Sequence, residues 1–494
     1  MNKRAIHLTV LGGGQSIGKS CFLVSVGDQH VLLDCGSFVG KDTKKALPDF
    51  SKLPTGVKVN DIAAVLISHF HMDHVGGLFY LTEQMKYKGR ILMSTPTRAI
   101  LPLILNNNRV LLANQLQTPN TITAEMCANL TKRIQDVSLR ETIQINSHIK
   151  VTAHAAGHVL GAVMWEVEMD GQTILYTGDF SDEEGSFIPP YQLPSRFLTP
   201  GNLDMLIMEC TYGNTQFQSL EQRRNVFVQT ILSTIQDGGR VLVPCYGIGY
   251  TQELLALLQQ VWADNHLTIP VYYSSQDTYS ILPLYSLFSA WTTRPLAVHS
   301  EQIKLFRMDF LNNPGPFVLL AAHPSMTTGV SKAVFPSIAK NPKNCVIFLG
   351  NNPSDTFAGQ IMKENAKLND GKDTPILCKR RVIPFSSHPD RTTEAELIRR
   401  SSPQCVVLVH GDKNNCTGFV RFYCKSHTKY PLFLMPDNGK TVEFTPEIGR
   451  IPVSERDEWQ IEKRRRTSDS TVVRIRDGVL EYEPSLQVLE VVES

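Results

Sequence analysis

The sequence lacks the patterns of a secreted or membrane-spanning protein. No apolar run reaches the length of a membrane span, and the first residues, MNKRAIHLTV, contain no apolar core of a signal peptide. The 10 cysteines are scattered over 494 residues without a C-x-x-C pair, which is not the spacing of a disulfide framework. We therefore expect a soluble intracellular protein in which Cys21 and Cys35 are small buried thiols.

The sequence also has no excess of charge of one sign. It contains 49 Lys and Arg against 47 Asp and Glu, so the net charge is only +2. The field of the whole chain is weak, and a polyanionic ligand would need a local basic groove or partner subunits. At 494 residues the chain is long enough for more than one domain.

A glycine-rich string near the N-terminus fits the phosphate-loop pattern G-x-x-x-x-G-K-[ST], with Gly13, Gly18, Lys19 and Ser20 at the fixed positions. A phosphate loop opens a helix. Here the string is followed by CFLVSV, a strand-like run, and after a Gly-Asp turn by a second strand at Val31 to Leu33. The pattern therefore predicts two strands of a meander and disfavours a nucleotide-binding protein.

Histidines crowd the end of an apolar strand in the stretch IAAVLISHFHMDHVGGL. His69 and His71 are two residues apart in an extended segment, so their side chains point the same way and can bind one ion together. The chain must turn after Met72, which directs Asp73 and His74 toward a different point. Imidazole and carboxylate groups are ligands that zinc prefers, so this stretch predicts a metal site.

Two later segments have a similar order of strand, small residue and ligand-capable side chain. His158 stands in AAGHVLGAVMWEV, and Asp179 follows the strand in TILYTGDFSD. Taken singly, each residue is as often an ordinary loop residue as a ligand. The shared pattern favours both as ligands.

Together these residues resemble the metallo-β-lactamase superfamily, whose signature is H-x-H-x-D-H followed by a later His, a later Asp and a final His. The resemblance implies an α/β fold, the metallo-β-lactamase αββα sandwich, and two Zn²⁺ ions bridged by Asp179. Asp34 in VLLDCG matches an early aspartate that supports the ligand loop, although by itself it would be an ordinary turn residue. The residues implied to hold the first zinc are His69, His71 and His158, and those implied to hold the second are Asp73, His74 and His410.

More than two hundred residues separate Asp179 from the next histidine of this kind. The segment alternates strands such as MLIMEC, RVLVPCY and PFVLLAA with helical runs such as YTQELLALLQQVW. This alternation predicts a second α/β domain with a parallel sheet, inserted into the first. The predicted domains are 1–205 and 385–445 for the core, 206–384 for the insertion, and 446–494 for a linker and a small β-rich C-terminal region.

The inserted domain resembles that of the β-CASP branch of the superfamily, whose members are nucleases. Glu209 in MECTYG, His388 in SSHPD and His410 in LVHG match the motifs of this branch, and a histidine at the last position is typical of members that cut RNA. The resemblance implies a zinc-dependent RNA endonuclease that leaves a 5′-phosphate and a 3′-hydroxyl. It implies His388 as the general acid and Glu209 as the group that orients it. The full set of implied catalytic residues is His388, Glu209, Asp34 and Asp73.

The same resemblance implies single-stranded RNA near a cleavage site, an inactive β-CASP paralogue and other subunits of a nuclear 3′-end-processing complex as partners, and no membrane. In the tail, Lys463 to Arg466 fits a nuclear-import signal or a phosphate contact, although such short basic runs are most often simply solvated. The Asp477-Gly478 pair between alternating runs predicts a hairpin, with a third strand in LQVLEVVES and a partner-binding role.

Three positions depart from the β-CASP pattern. Tyr250 stands where relatives usually have Arg, and Ser325 and Asp355 stand where they usually have Gly, in segments that face the RNA cleft in relatives. Loss of an Arg weakens phosphate binding and an added carboxylate repels phosphate, so a changed RNA affinity is one interpretation and neutral replacement is the other. A catalytically silent scaffold of the same fold remains the alternative to a nuclease, and a small-molecule hydrolase is disfavoured by the insertion and by His388.

Overall fold

The computed structural model of the protein describes residues 3–38, 46–116, 122–183, 187–296, 303–363, 366–368, 374–428, 430–446, 471–476, 479–482 and 487–489. The chain forms two compact units. The first comprises Met1–Asp182, Pro190–Gln216 and His388–Ser494, and the second comprises Glu183–Pro189 and Phe217–Ser387.

The strands follow one another from the N-terminal hairpin to the tail. In chain order they are β1 (Ile6–Gly12), β2 (Cys21–Val26), β3 (Gln29–Leu33), β4 (Ala64–Leu66), β5 (Arg90–Ser94), β6 (Ile134–Val137), β7 (Thr142–Gln144), β8 (Ile149–Ala155), β9 (Val163–Met169), β10 (Gln172–Tyr176), β11 (Met205–Glu209), β12 (Val241–Pro244), β13 (Val271–Tyr273), β14 (Ile303–Leu305), β15 (Val318–Ala321), β16 (Cys345–Phe348), β17 (Lys379–Val382), β18 (Cys405–Val409), β19 (Leu432–Leu434), β20 (Thr441–Phe444), β21 (Thr471–Arg476), β22 (Val479–Tyr482) and β23 (Gln487–Leu489).

The α-helices lie between these strands. They are α1 (Met72–Val75), α2 (Thr95–Asn107), α3 (Arg109–Leu116), α4 (Ala124–Lys132), α5 (Leu220–Gln236), α6 (Tyr250–Asp264), α7 (Gln276–Leu287), α8 (Gly329–Ala339), α9 (Phe357–Ile361), α10 (Arg391–Ser401) and α11 (Lys413–Ser426). Within the described ranges, every helix is too short or too polar to cross a lipid bilayer.

The first unit contains two seven-stranded sheets. Sheet one has the order β20-β1-β2-β3-β4-β5-β6, and sheet two has the order β19-β18-β11-β10-β9-β8-β7. Buried aromatic side chains connect the two sheets. The rings of Phe22 on β2 and Tyr176 on β10 lie 5.8 Å apart, and Trp165 on β9 donates its indole N–H to the carbonyl of Ile67 at 3.0 Å. This mixed α/β arrangement of sheet against sheet confirms the predicted fold class.

Sheet two brings ligand-capable side chains to one edge because its central strands are parallel. Strand β11 pairs in parallel with β10 on one side and with β18 on the other. The carboxyl ends of parallel strands meet at the same edge of a sheet. Asp179 follows β10, Glu209 ends β11 and His410 follows β18, so all three lie at this edge.

The glycine-rich string connects two antiparallel strands. Strand β1 pairs with β2, with Ile6 opposite Val26, and β2 pairs with β3. The predicted meander is confirmed, and the residue after Ser20 begins a strand instead of the helix that a phosphate loop would open. Cys21 and Cys35 are buried free thiols, as predicted.

The second unit contains a six-stranded sheet of order β14-β13-β15-β12-β16-β17. Every pairing in it is parallel, which confirms the predicted parallel sheet, and α6 contains the predicted helical run. The strand Met205–Glu209 differs from expectation, because it lies in sheet two of the first unit. An apolar parallel strand buried on both faces suits either sheet, so its composition did not distinguish them. The domain boundaries at 205/206, 384/385 and 445/446 stay a prediction.

The tail forms a three-stranded sheet in which β21 pairs antiparallel with β22 and parallel with β23. The two strands of the predicted hairpin and its third strand are therefore present. The Asp477-Gly478 turn and the basic run Lys463 to Arg466 lie outside the described residues.

Candidate metal centre

The histidine-rich loop follows the buried strand β4 and leads into the short helix α1. His71 is still extended, and Asp73 and His74 lie on the helical turn that follows, so the change of direction after Met72 occurs as predicted. Gly36 packs against this turn. A Cβ atom at Gly36 would lie 1.7 Å from the carbonyl oxygen of Asp73, so only glycine allows this close approach.

A first cluster contains the imidazoles predicted for the first zinc. His69 Nε2 lies 2.9 Å from His71 Nδ1, and His158 Nε2 lies 3.2 Å from the same atom. Asp179 Oδ2 is 3.6 Å from His69 Nε2 and 3.7 Å from His158 Nε2. One ligand atom from each of the four residues lies within 4.8 Å of the others, which is a spacing that can enclose a metal ion.

A second cluster contains the residues predicted for the second zinc. Asp73 Oδ2 lies 3.2 Å from His410 Nε2 and 3.8 Å from His74 Nε2. Asp179 also contacts this cluster, since its Oδ2 is 3.4 Å from His74 Nε2 and its Oδ1 is 3.5 Å from His410 Nδ1. Asp179 therefore faces both clusters, which is the position of a bridging ligand.

The donor atoms of these clusters fit a metal ion. His74 Nε2 and Asp179 Oδ1 are buried and make no hydrogen bond within the described part of the chain, and a buried polar atom without a partner is costly. Burial lowers the pKa of His69 well below its ordinary value and that of His71 to about 4, so both imidazoles are neutral and have a lone pair to donate. A bound cation would satisfy these atoms.

Asp34 supports the histidine-rich loop through hydrogen bonds. Its carboxylate accepts the His74 Nδ1–H at 2.7 Å, the Ser68 backbone N–H at 2.7 Å and the Tyr176 hydroxyl at 2.6 Å. Because Nδ1 of His74 is held in this way, its Nε2 is left to face the second cluster. The Ser68 hydroxyl also lies 3.0 Å from His69 Nδ1. Ser68 and Tyr176 were not predicted, although both stand where a strand gives way to a ligand-bearing loop.

Replacement of Asp34 by asparagine is expected to weaken zinc binding by about 10–100-fold, because the amide loses the charge that fixes the His74 ring. Competition with a chelator on the full chain measures this change. Asp136→Asn is the matched control, since Asp136 is paired with Arg98 outside the clusters. Unchanged zinc affinity in Asp34→Asn would contradict the supporting role.

His388 and Glu209 form a pair beside the two clusters, in which Glu209 is buried and the side chain of His388 is 21% exposed. His388 Nδ1 lies 2.7 Å from Glu209 Oε2 and 3.8 Å from Asp179 Oδ2. Burial alone would lower the pKa of His388, but the carboxylates of Glu209 and Asp179 outweigh it and raise that pKa to about 9. Glu209 is itself held by the Phe180 N–H, which donates to its Oε1 at 2.8 Å.

Thr211 connects this pair to the second cluster. Its hydroxyl donates to Glu209 Oε2 at 2.5 Å and lies 3.1 Å from His410 Nδ1. Thr211 was not predicted, because its contact with His410 joins residues 199 positions apart in the sequence. Asp34, His158 and His410 adopt left-handed backbone conformations, with φ of 55°, 45° and 50°. Such strained residues cluster at functional sites.

Three family models match parts of the chain. The model described as "Anti-Pycsar protein Apyc1" matches residues 6–192, "Beta-Casp domain" matches 251–361, and "Zn-dependent metallo-hydrolase RNA specificity domain" matches 373–433.

Curated relatives match over most of the chain. Integrator complex subunit 11 of Danio rerio is 32% identical over 447 residues, which cover 88% of this chain and 74% of the relative. The chain belongs to the β-CASP family. A second member of this family, cleavage and polyadenylation specificity factor subunit 3-II of Arabidopsis thaliana, is 34% identical over 452 residues, which cover 89% of this chain and 73% of the relative.

Membership of the β-CASP family confirms the predicted resemblance and the predicted class of enzyme, a metal-dependent endoribonuclease of an RNA 3′-end-processing family. A solved structure, "Crystal Structure of a Protein of Unknown Function from Enterococcus faecalis V583", is similar to this fold with a TM-score of 0.53. The match covers 89% of this chain and 100% of the other at 13% identity, so it shows the fold alone.

Proposed function

We propose that this protein is a zinc-dependent RNA endonuclease that hydrolyses phosphodiester bonds in nuclear RNA 3′-end processing and leaves a 5′-phosphate and a 3′-hydroxyl. The observation that carries this proposal is the convergence of two ligand clusters and the His388–Glu209 pair on the shared carboxylate of Asp179. A hydrolase that attacks phosphorus needs both positioned cations and a proton donor, and the clusters and the pair supply places for each.

The chain would hold two zinc ions. The first would be held by His69, His71 and His158, the second by Asp73, His74 and His410, with Asp179 as a ligand to both. When bound, the ions would neutralise the scissile phosphate and lower the pKa of a bound water so that it becomes a nucleophile near neutral pH.

His388 would protonate the leaving 3′ oxygen. Its Nδ1 bonds to Glu209 Oε2, and its Nε2 would donate the proton. Glu209 would orient the imidazole and favour its charged form, and Thr211 would hold the carboxylate of Glu209 in place. An alkoxide is a poor leaving group without this proton, so the pair contributes to the step in which the P–O bond breaks.

The proposal includes the compartment and the partners. The relatives are named as subunits of the Integrator complex and of the cleavage and polyadenylation specificity factor, so we infer a nuclear protein that binds single-stranded RNA, an inactive β-CASP paralogue and other subunits of such a complex. The partner-binding region at 446–494 belongs to the same proposal.

The experiment that tests this function uses the full chain loaded with zinc and a single-stranded RNA labelled at both ends. We expect two zinc ions per chain by metal analysis and internal cleavage that stops when a chelator is added. The downstream product should be a substrate for RNA ligase without kinase treatment, because it carries a 5′-phosphate. Less than one zinc per chain, or no cleavage by the chain alone and by its purified complex, would contradict the nuclease and leave the silent scaffold.

A further inference from the structure

Tyr246 stands at the carboxyl end of β12, in the interior of the six-stranded parallel sheet of the second unit. Its side chain is 62% exposed, so much of an aromatic group faces solvent there. From β12 the chain continues to β13, β14 and β15 on one side of the sheet and later to β16 and β17 on the other. Ligands of parallel α/β sheets bind at the carboxyl ends of strands beside such a reversal of strand order.

The backbone that carries Tyr246 is fixed by side-chain hydrogen bonds. The Thr251 hydroxyl donates to the carbonyl of Tyr246. The next carbonyl, that of Gly247, accepts from Gln252 Nε2 at 3.0 Å and from the Thr278 hydroxyl at 2.6 Å. The loop is therefore already ordered, and a ligand that packs on the Tyr246 ring would not lose free energy by ordering it.

A histidine supports the Tyr246 ring from the neighbouring strand. His323, two residues after β15, lies with its ring centroid 4.9 Å from that of Tyr246 at an interplanar angle of 85°. This near-perpendicular ring contact packs His323 against Tyr246.

Ser325 fixes the His323 imidazole in turn. The backbone N–H of Ser325 donates to His323 Nδ1 at 3.3 Å, and the Ser325 hydroxyl lies 2.9 Å from the same nitrogen. Nδ1 is thus an acceptor, and burial lowers the pKa of His323, so the ring is neutral with its proton on Nε2. Ser325 is one of the three departures from the β-CASP pattern, and here its side chain contributes to an aromatic surface.

We propose that Tyr246, packed against the His323 ring that Ser325 holds, is a stacking site for one base of single-stranded RNA. The choice of RNA as the ligand rests on the proposed function. The groups that form the surface are uncharged, so they suit the face of a base better than a phosphate, and base–aromatic stacking is the means by which single strands are bound without a fixed sequence.

The first test measures binding of the zinc-loaded full chain to a single-stranded RNA oligonucleotide, in a His388→Ala background that limits cleavage during the measurement. We expect Tyr246→Ala to raise the Kd about tenfold and Tyr246→Phe to keep it within about twofold, because phenylalanine retains the aromatic face. Leu287→Ala is the matched control. Leu287 is 70% exposed and ends α7, whereas Thr278, which bonds to the Tyr246 loop, lies near the start of that helix. Binding by Tyr246→Ala equal to that of its parent overturns the proposal.

The second test replaces the bases of the oligonucleotide one at a time by abasic sites. At the position that stacks on Tyr246, the abasic site should weaken RNA binding by the parent about tenfold. It should leave RNA binding by the Tyr246→Ala variant unchanged, because both changes remove the same contact. Ser325→Gly should give a smaller loss at that same position. If Tyr246→Ala binds every abasic oligonucleotide more weakly than its parent by the same factor, Tyr246 has only a structural role and the proposal is overturned.

The same oligonucleotide separates this site from the nuclease function. Suppose that one abasic position weakens binding only when Tyr246 is present, and that the wild-type chain never cuts RNA. The nuclease proposal then fails and the stacking site stands. If the chain cuts RNA and no position is coupled to Tyr246, the stacking site alone is overturned.

Discussion

RNA cleavage by the His388→Ala chain is expected to be about 10²–10⁴-fold slower than by the wild type, with the amount of bound zinc unchanged. His388 Nδ1 bonds to Glu209 Oε2 at 2.7 Å, and its role in the proposed function is to deliver a proton to the leaving oxygen. Single-turnover cleavage and metal analysis of the same preparation measure the two quantities. An active His388→Ala chain would contradict the assignment.

A change of leaving group distinguishes a proton donor from a residue that only shapes the site. In RNA with sulfur in place of the bridging 3′ oxygen, the leaving thiolate needs no proton, so the loss caused by His388→Ala should shrink to about tenfold or less. Glu209→Gln should show the same substrate dependence with a smaller loss, since it perturbs the donor without removing it. Equal losses on the oxygen and sulfur substrates would contradict a proton-transfer role.

Replacement of Asp179 by asparagine is expected to remove at least one zinc per chain and to slow RNA cleavage by about 10³-fold, because the bound ions contribute several kcal/mol to such reactions. Asp179 is 2% exposed and lies within 3.8 Å of imidazole nitrogens from both clusters and from His388. An amide of the same size keeps the packing but lacks the negative charge that favours a bound cation.

Asp170→Asn is the control for this variant, because Asp170 pairs with Arg4 and His148 away from the clusters. Its zinc content and cleavage rate should match those of the wild type. If Asp179→Asn keeps two zinc ions and full activity, the centre is not arranged around this carboxylate.

Part of the ligand set could be predicted from strand ends, and the complete set was implied by the resemblance to the metallo-β-lactamase superfamily. The sequence shows a strand end before His69, before Asp179 and before His410, and neighbouring parallel strands carry the last two to one edge of sheet two. Patterns of two-residue spacing and of strand ends are local, so they can be read without knowing the contacts between distant segments.

The groups behind the ligands could not be predicted in the same way. Tyr176 reaches Asp34 across 142 positions, and Thr211 reaches His410 across 199. A hydroxyl has no distinctive spacing in a sequence, and its partner is decided by tertiary packing. The assignment of Met205–Glu209 to the inserted domain failed for a related reason, since an apolar run specifies burial and not the neighbour that buries it.

The order of the segments along the chain has a consequence for biosynthesis. His69, His158 and Asp179 precede the second unit, whereas His388 and His410 follow it, and β18 reaches its place beside β11 only after that unit has been made. Domains fold as the ribosome releases them, in order from the N-terminus. A translation product that stops before residue 388 would lack His388 and His410, so premature termination yields a fragment that cannot complete the second cluster or the His388–Glu209 pair.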